Sequence, residues 1–242
     1  MSHDELLKAL FPDGTTMQPD DLGIIAGEQK LANGGLVSVI GLVNGNPVGV
    51  QRAIALAACV LRHIDKHTGR PLVLLVDAGS QLMARRDELL GLNEYLAHLT
   101  KSLYLASVAG SHTVSILYGT AAAGAMIATA MAADSLIAVP GAAPSVMDLP
   151  SISRVTKLPL EQLEEMSQCT PIFAPGVEPM LNTGAIREEW QMPGEFAARL
   201  QTLLASGQAN VDRRDELGAR RRGRLKAVRV ARRVEDEALH RA

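Results

Sequence analysis

Two stretches of this chain dictate its architecture. "RPLVLLVDAGS" (residues 70–80) carries an unbroken apolar run and "HTVSILYGTAAAG" (112–124) an apolar run interrupted by Ser115, and each ends in a loop of small residues. A strand that is apolar at every position has both faces buried. That is the signature of a parallel sheet covered by helices, not of an antiparallel sheet facing water. The segments between these runs have helical periodicity. "VQRAIALAACVLRHIDKHTG" repeats its apolar positions at three and four residues, and Gly69 stands where a C-terminal cap belongs. "RRDELLGLNEYLAHLTKSLYLASVAG" reads as one long helix closed by a glycine, and an alanine-rich helix follows Tyr118. "GGLVSVIGLVNGNPVG" adds a strand and turn, "DSLIAVPG" and "APSVMDLP" two short strands, and "LPLEQLEEMSQ" a helix begun by Pro159. "GAIREEW" and "PGEFAARLQTLLA" close the compact part after a short N-terminal helix and loop. Strands alternating with helices make an α/β domain with a largely parallel sheet.

Composition narrows the partners. At 242 residues and 47% hydrophobic, the chain can bury a sizeable core, and 3% aromatics make that core aliphatic. A net charge of -2 gives no reason to expect nucleic acid. Cys59 and Cys169 match no metal or redox spacing and read as reduced thiols in a cytoplasmic protein. The opening "MSHDELLKALF" is charged and amphipathic, unlike a signal peptide. The most apolar window, Thr120 to Val139, contains Asp134 and suits a core helix and strand better than a membrane span. From about Asn210 the composition turns arginine-rich, which reads as a solvated helix or tail outside the core, or a docking tail for an acidic partner.

Several motifs have competing readings. The glycines at 41, 45 and 49 lack dinucleotide spacing and are expected to serve turns. His63 and His67 share a helix face, but without a HExxH glutamate or a third ligand they are expected at a polar, surface helix end rather than on zinc. "DAGSQ" ends a buried strand, where ligands of parallel sheets bind. Ser80 has no nucleophile-elbow glycines around it, so the loop would act through backbone N–H groups or serve as an ordinary turn. "YGTAAAG" either lets a ligand approach bare N–H groups or packs a helix tightly on its neighbour.

Four segments in order, "LVDAGSQLMARRDELLGLNEYLAHL", "VSILYGTAAAGAMIA", "VMDLPSISRVTKLPLEQLEEM" and "PIFAPGVEPMLNTGAIREEW", resemble the gamma subunit of malonate decarboxylase. The resemblance runs from about residue 34 to 195. It implies the carboxyltransferase branch of the crotonase-like (ClpP/crotonase) fold, a spiral of ββα units. The domain would span 34–209, after an N-terminal segment 1–33 and before a basic tail 210–242. It further implies a site shared with a beta subunit, with catalytic backbone groups at Gly79, Ser80, Ala123 and Gly124 and substrate contacts from Gln81, Tyr118, Gly119 and Met147. Related carboxyltransferases carry more glycine at the second loop; Ala123 supplies its N–H there provided its φ stays negative. The implied reaction is biotin-independent decarboxylation of malonyl-S-acyl carrier protein to acetyl-S-acyl carrier protein and CO2. The acyl group rides a pantetheine-type arm of the carrier subunit, so no cofactor or metal is expected on this chain. The implied partners are the beta subunit, the acyl carrier protein and an alpha acyl transferase subunit, with no nucleic acid and no membrane. Alternatives are carboxyl transfer to biotin and a non-catalytic scaffold for the beta subunit.

Overall fold

The computed structural model describes residues 1–147, 149–169, 174–207 and 211–240. The side chain of Cys169 and the "PIF" of the "PIFAPGVE" segment lie outside the described residues. The chain runs α1 (His3–Leu10), β1 (Ile24–Lys30), β2 (Leu36–Leu42), α2 (Val50–Lys66), β3 (Leu72–Val76), α3 (Arg85–Leu89), α4 (Leu92–Val108) and β4 (Thr113–Leu117). It continues through β5 (Thr120–Ala122), α5 (Ala123–Ala128), β6 (Ser135–Ala138), β7 (Ala143–Ser145), α6 (Leu149–Thr156) and α7 (Leu160–Cys169). Last come α8 (Val177–Asn182), β8 (Glu188–Glu189), α9 (Phe196–Ala205), α10 (Arg214–Arg220) and α11 (Leu225–Leu239).

The main sheet has the order β1-β2-β3-β4-β6-β8. Every neighbouring pair is parallel except β1 with β2, which is antiparallel from Ile24 opposite Leu42 to Lys30 opposite Leu36. Strand β1 has no counterpart in the sequence reading, because "IIAGEQK" offers only two large apolar residues. Residues 1–33 thus supply an edge strand and, through α1, part of a core.

Alternating side chains of the central strands separate two cores. Leu72, Leu74 and Val76 of β3 face one cluster with Leu56 and Val60 of α2 and Leu99 and Leu103 of α4. Val73 and Leu75 face the other, with Leu6 and Leu10 of α1, Trp190, and Phe196 and Leu200 of α9. This two-sided burial explains the unbroken apolar run of β3, since a period-2 strand covered on both faces favours an apolar residue at each step.

A second, shorter parallel layer accompanies the main sheet. It consists of the β5–β7 pair, from Thr120 opposite Ala143 to Ala122 opposite Ser145, and of single bridges Val48–Gln81 and Gly79–Ala121. Each turn of the chain therefore gives one long strand, one short strand and a helix, the ββα spiral of the crotonase-like fold.

Three expectations are corrected. The long helix is broken: Gly91 takes φ +78 between α3 and α4, a left-handed conformation that ends one helix before the next begins. The alanine-rich run begins as strand β5, and its helix α5 is only six residues long. His63 is no surface residue. It is 4% exposed, with Nδ1 2.8 Å from Ser38 Oγ and Nε2 3.1 Å from Ser111 Oγ, so it links α2, β2 and the turn before β4. His67, by contrast, reaches Glu28 at the protein surface, as does Arg70.

The arginine-rich segment is also less detached than its composition implies. Helix α11 buries no residue, but α10 is docked. Arg221 Nη1 donates to the carbonyls of Leu181 and Ile186, Nη2 donates to that of Arg187, and Arg214 Nη1 donates to that of Met131. A side chain at Gly218 would stand 2.1 Å from Thr183 O, so this helix lies directly on backbone.

Candidate active site

The two loops singled out by sequence meet beyond the C-terminal ends of β3 and β4. They are joined by backbone hydrogen bonds: the N–H groups of Ala78 and Gly79 donate to Thr120 O at 2.8 and 3.1 Å, and Ala122 N–H donates to Gly79 O at 2.6 Å. A third segment is tied in, because Val48 N–H donates to Ser80 O and Leu82 N–H donates to Val48 O. Gly79 has φ +56, and a side chain there would sit 2.5 Å from Gly45 O; no other residue fits.

Asp77 fixes the register of the loops. Its Oδ1 accepts from Thr120 N–H at 2.9 Å and from Thr120 Oγ1 at 3.2 Å. The carboxylate lies so close to Gly119 that a side chain at 119 would overlap it, at 2.2 Å. In the sequence Asp77 shows only as the first residue of "DAGSQ", with nothing to mark its task. A carboxylate beside "AGS" carries no signal for a partner 43 residues away.

Gly124 N–H donates to Gln81 Oε1 at 2.8 Å. This contact joins an expected donor to an expected substrate-binding residue. The acceptor is an amide carbonyl oxygen, chemically close to the thioester carbonyl of an acyl substrate. The Ser80 hydroxyl donates to the carbonyl of Gln81 at 3.1 Å. The N–H groups of Ser80 and Gln81 have no acceptor among the described residues. Met147 is 42% exposed and follows β7 by two residues, at the end of the short ladder where Ala122 faces Ser145.

Three expected roles change. The Gly79 N–H is committed to Thr120 O, so the first loop offers Ser80 and Gln81 instead. The Tyr118 ring lies in the second core with its hydroxyl donating to Leu42 O at 3.3 Å, so its one polar atom is already partnered there. Burial, with the Asp77 carboxylate adding to it, pushes that phenol well above its ordinary range, so it stays protonated. Ala123 has φ +50, against the condition placed on it above. A non-glycine residue in the left-handed region is strained, and such strain gathers at ligand-facing turns. Among the described residues no group of three or more His, Cys, Asp and Glu could hold a metal ion, and no helix is long and apolar enough to cross a membrane. Cys59 is a free thiol raised by burial, with Arg62 Nη2 donating to its sulfur.

The family model described as malonate decarboxylase gamma subunit matches residues 43–238, from the turn before α2 through α11. The chain belongs to the malonate decarboxylase gamma subunit family. The match runs through the arginine-rich segment, to which sequence reading attached no family motif. Among curated proteins the chain is similar to malonyl-S-ACP:biotin-protein carboxyltransferase MADD of Malonomonas rubra, 28% identical over 173 residues. That stretch is 69% of this chain and 59% of the relative, so the chain spans less than two thirds of it. Among solved structures it resembles a chain of a Pseudomonas malonate decarboxylase hetero-tetramer in complex with coenzyme A, with TM-score 0.78, 25% identity, and 98% and 100% of the two chains covered. A chain of the transcarboxylase 12S hexamer, at 17% identity and TM-score 0.69 over 87% of this chain and 43% of the other, shares the fold.

Proposed function

We propose that this chain is the gamma subunit of a biotin-independent, cytoplasmic malonate decarboxylase. With a beta subunit it would convert malonyl-S-acyl carrier protein to acetyl-S-acyl carrier protein and CO2. The observation that carries the reading is the Gly124 N–H held by a carbonyl oxygen at 2.8 Å, beside a loop with two N–H groups that have no acceptor among the described residues. When substrate binds, its thioester oxygen takes the place of Gln81 Oε1. As the bond from methylene carbon to carboxylate breaks, CO2 leaves and the electron pair moves onto that oxygen as an enolate. N–H donors already aimed there stabilise the charge as it forms, one donor being worth about 2.7–4 kcal/mol. An apolar surround favours loss of the charged carboxylate as neutral CO2. A proton then reaches the methylene carbon. The acyl group arrives on the carrier's pantetheine-type arm, so the chain needs no cofactor of its own, and an alpha acyl transferase subunit loads the carrier.

Side-chain hydroxyls are accessory in this reading. Ser80→Ala and Thr120→Val should each cost less than about tenfold in kcat, whereas Gly124→Val should cost roughly a hundredfold or more, the scale of one lost oxyanion donor. A Cβ at 124 would already lie 3.3 Å from both Gln81 Oε1 and Leu96 Cδ1, so the branched variant closes the place where the oxygen sits. Folding and beta-subunit binding are measured on the same preparations. Normal turnover by assembled Gly124→Val with a dead Ser80→Ala would replace the backbone mechanism with a serine one, and activity surviving changes in both loops would make the chain a scaffold. The isolated chain should be inactive on a malonyl thioester until beta is added.

A second reading is favoured by the Malonomonas rubra relative, whose name is that of a biotin-protein carboxyltransferase. In it the carboxyl group passes to biotin instead of leaving as CO2. Avidin added to the assembled enzyme separates the two: an unchanged rate keeps the decarboxylase, and strong inhibition moves the assignment to transfer.

A further inference from the structure

Helix α11 spans fifteen residues and buries none of them. Ala227, Val230, Ala231, Val234 and Ala238 recur at three- and four-residue spacing and form one apolar stripe. All five are exposed, Val230 by 55% and Val234 by 62%, so the stripe faces solvent. An isolated helix of this length is marginal in water and normally depends on packing of its apolar face. The charges make it worse. Lys226, Arg229, Arg232 and Arg233 all precede Glu235, Asp236 and Glu237, with no acidic residue in the first turn and no basic residue in the last. That order opposes the helix dipole. Within the helix the Arg233–Glu237 pair offsets only part of this.

The same order becomes favourable when two such helices lie antiparallel, because the basic start of each then meets the acidic end of the other. We propose that α11 is a self-association element: two copies of this chain pair through their α11 stripes, antiparallel and related by a two-fold axis. Alignment centred between Ala231 and Arg232 sets Val230 near Val234 of the second copy and Lys226 at the stripe's edge beside its Glu237, and symmetry repeats each contact. The alanines allow close approach of the two backbones. Nucleic acid is disfavoured as occupant by the three acidic residues, and a lipid surface by the lack of any aromatic or long apolar anchor on the stripe.

A helix of this length is about 22 Å long and buries less than the roughly 1,200 Å² of a standard stable interface, so the dimer is weak and concentration-dependent. Sedimentation velocity of the full chain, from roughly 1 to 300 µM, should show a monomer–dimer equilibrium that weakens as salt is added. Val234→Glu, at an exposed position where it cannot disturb the core, should leave a monomer with unchanged circular dichroism elsewhere in the fold. Lys226→Glu should weaken the dimer about tenfold by placing like charges together at both symmetric contacts, and Lys226→Glu with Glu237→Lys should restore it to within about threefold. A chain that stays monomeric throughout the range overturns the proposal. So does a dimer indifferent to Val234→Glu, or a double variant no stronger than Lys226→Glu. The outcome is independent of the decarboxylase reading, since none of these residues belongs to the two loops or to the segments hydrogen-bonded to them.

Discussion

Ala123 shows how a site can be legible by position and hidden in conformation. Small residues at 119–125 allow either a backbone that faces a ligand or a tight helix contact, and the loop they form is hydrogen-bonded to Gly79. The left-handed φ of +50 at Ala123 was invisible, because alanine is chosen against there on steric grounds and gives no signal. Placing glycine at 123 relieves about 1–2 kcal/mol of left-handed strain. It also loosens the unfolded chain, which costs about 0.4–1 kcal/mol. Ala123→Gly should therefore stabilise the chain by roughly 0.5–1 kcal/mol net, read as a higher urea midpoint with an unchanged slope. A lower midpoint would mean that neighbouring contacts, not local strain, set this turn. Asp77 carries no task in the sequence and Tyr118 is expected at the substrate for a related reason: their partners, Thr120 and Leu42, lie 43 and 76 residues away in sequence.

Elements were readable where a period was long and clean. Helix α2 and strands β3 and β4 fall where their patterns placed them, because burial on one stripe or on two faces leaves a strong imprint. The break at Gly91 was lost inside an otherwise continuous helical pattern, and β1 was lost because a polar edge strand has little to bury. His63 was misjudged because four-residue spacing says which face two residues share, not whether a neighbouring strand covers it. Its position between β2, α2 and the turn before β4 has a consequence for pH. Burial, with His67 and Arg70 adding to it, holds the His63 pKa below its ordinary value. The unfolded chain then binds a proton that the folded chain refuses, so stability is complete above about pH 6.5 and is lost as pH falls below that value toward the folded pKa. Thermal unfolding followed from pH 7.5 down to about 5 should show this loss, and His63→Gln should flatten it after allowance for its lower starting stability. Parallel curves would assign the acid sensitivity to another group.

For the whole molecule, the C-terminal region divides into two parts with different duties. Removal of residues 225–242 takes away a helix without buried residues and should leave the melting temperature and the kcat of the assembled enzyme nearly unchanged. Removal from 211 onward also takes Arg221, whose guanidinium holds three carbonyls around α8 and β8, and should lower the melting temperature by several degrees. Equal melting temperatures for the two truncations would mean that α10 merely rests on the surface. Composition had merged the two parts because arginines are abundant in both, and only contacts distinguish a clamp from a free helix. The order of strands in the main sheet carries a last consequence. Because β1, β2, β3, β4, β6 and β8 line up in the order of synthesis, each new strand leaves the ribosome beside one already in place. The face built on α2 and α4 can therefore close early. The opposite face cannot, since α1 rests on α9 and Trp190, which emerge only after the last of these strands. Helix α1, made before all six strands, waits for that seat, and until then Leu6, Leu7 and Leu10 are the surface a chaperone would meet.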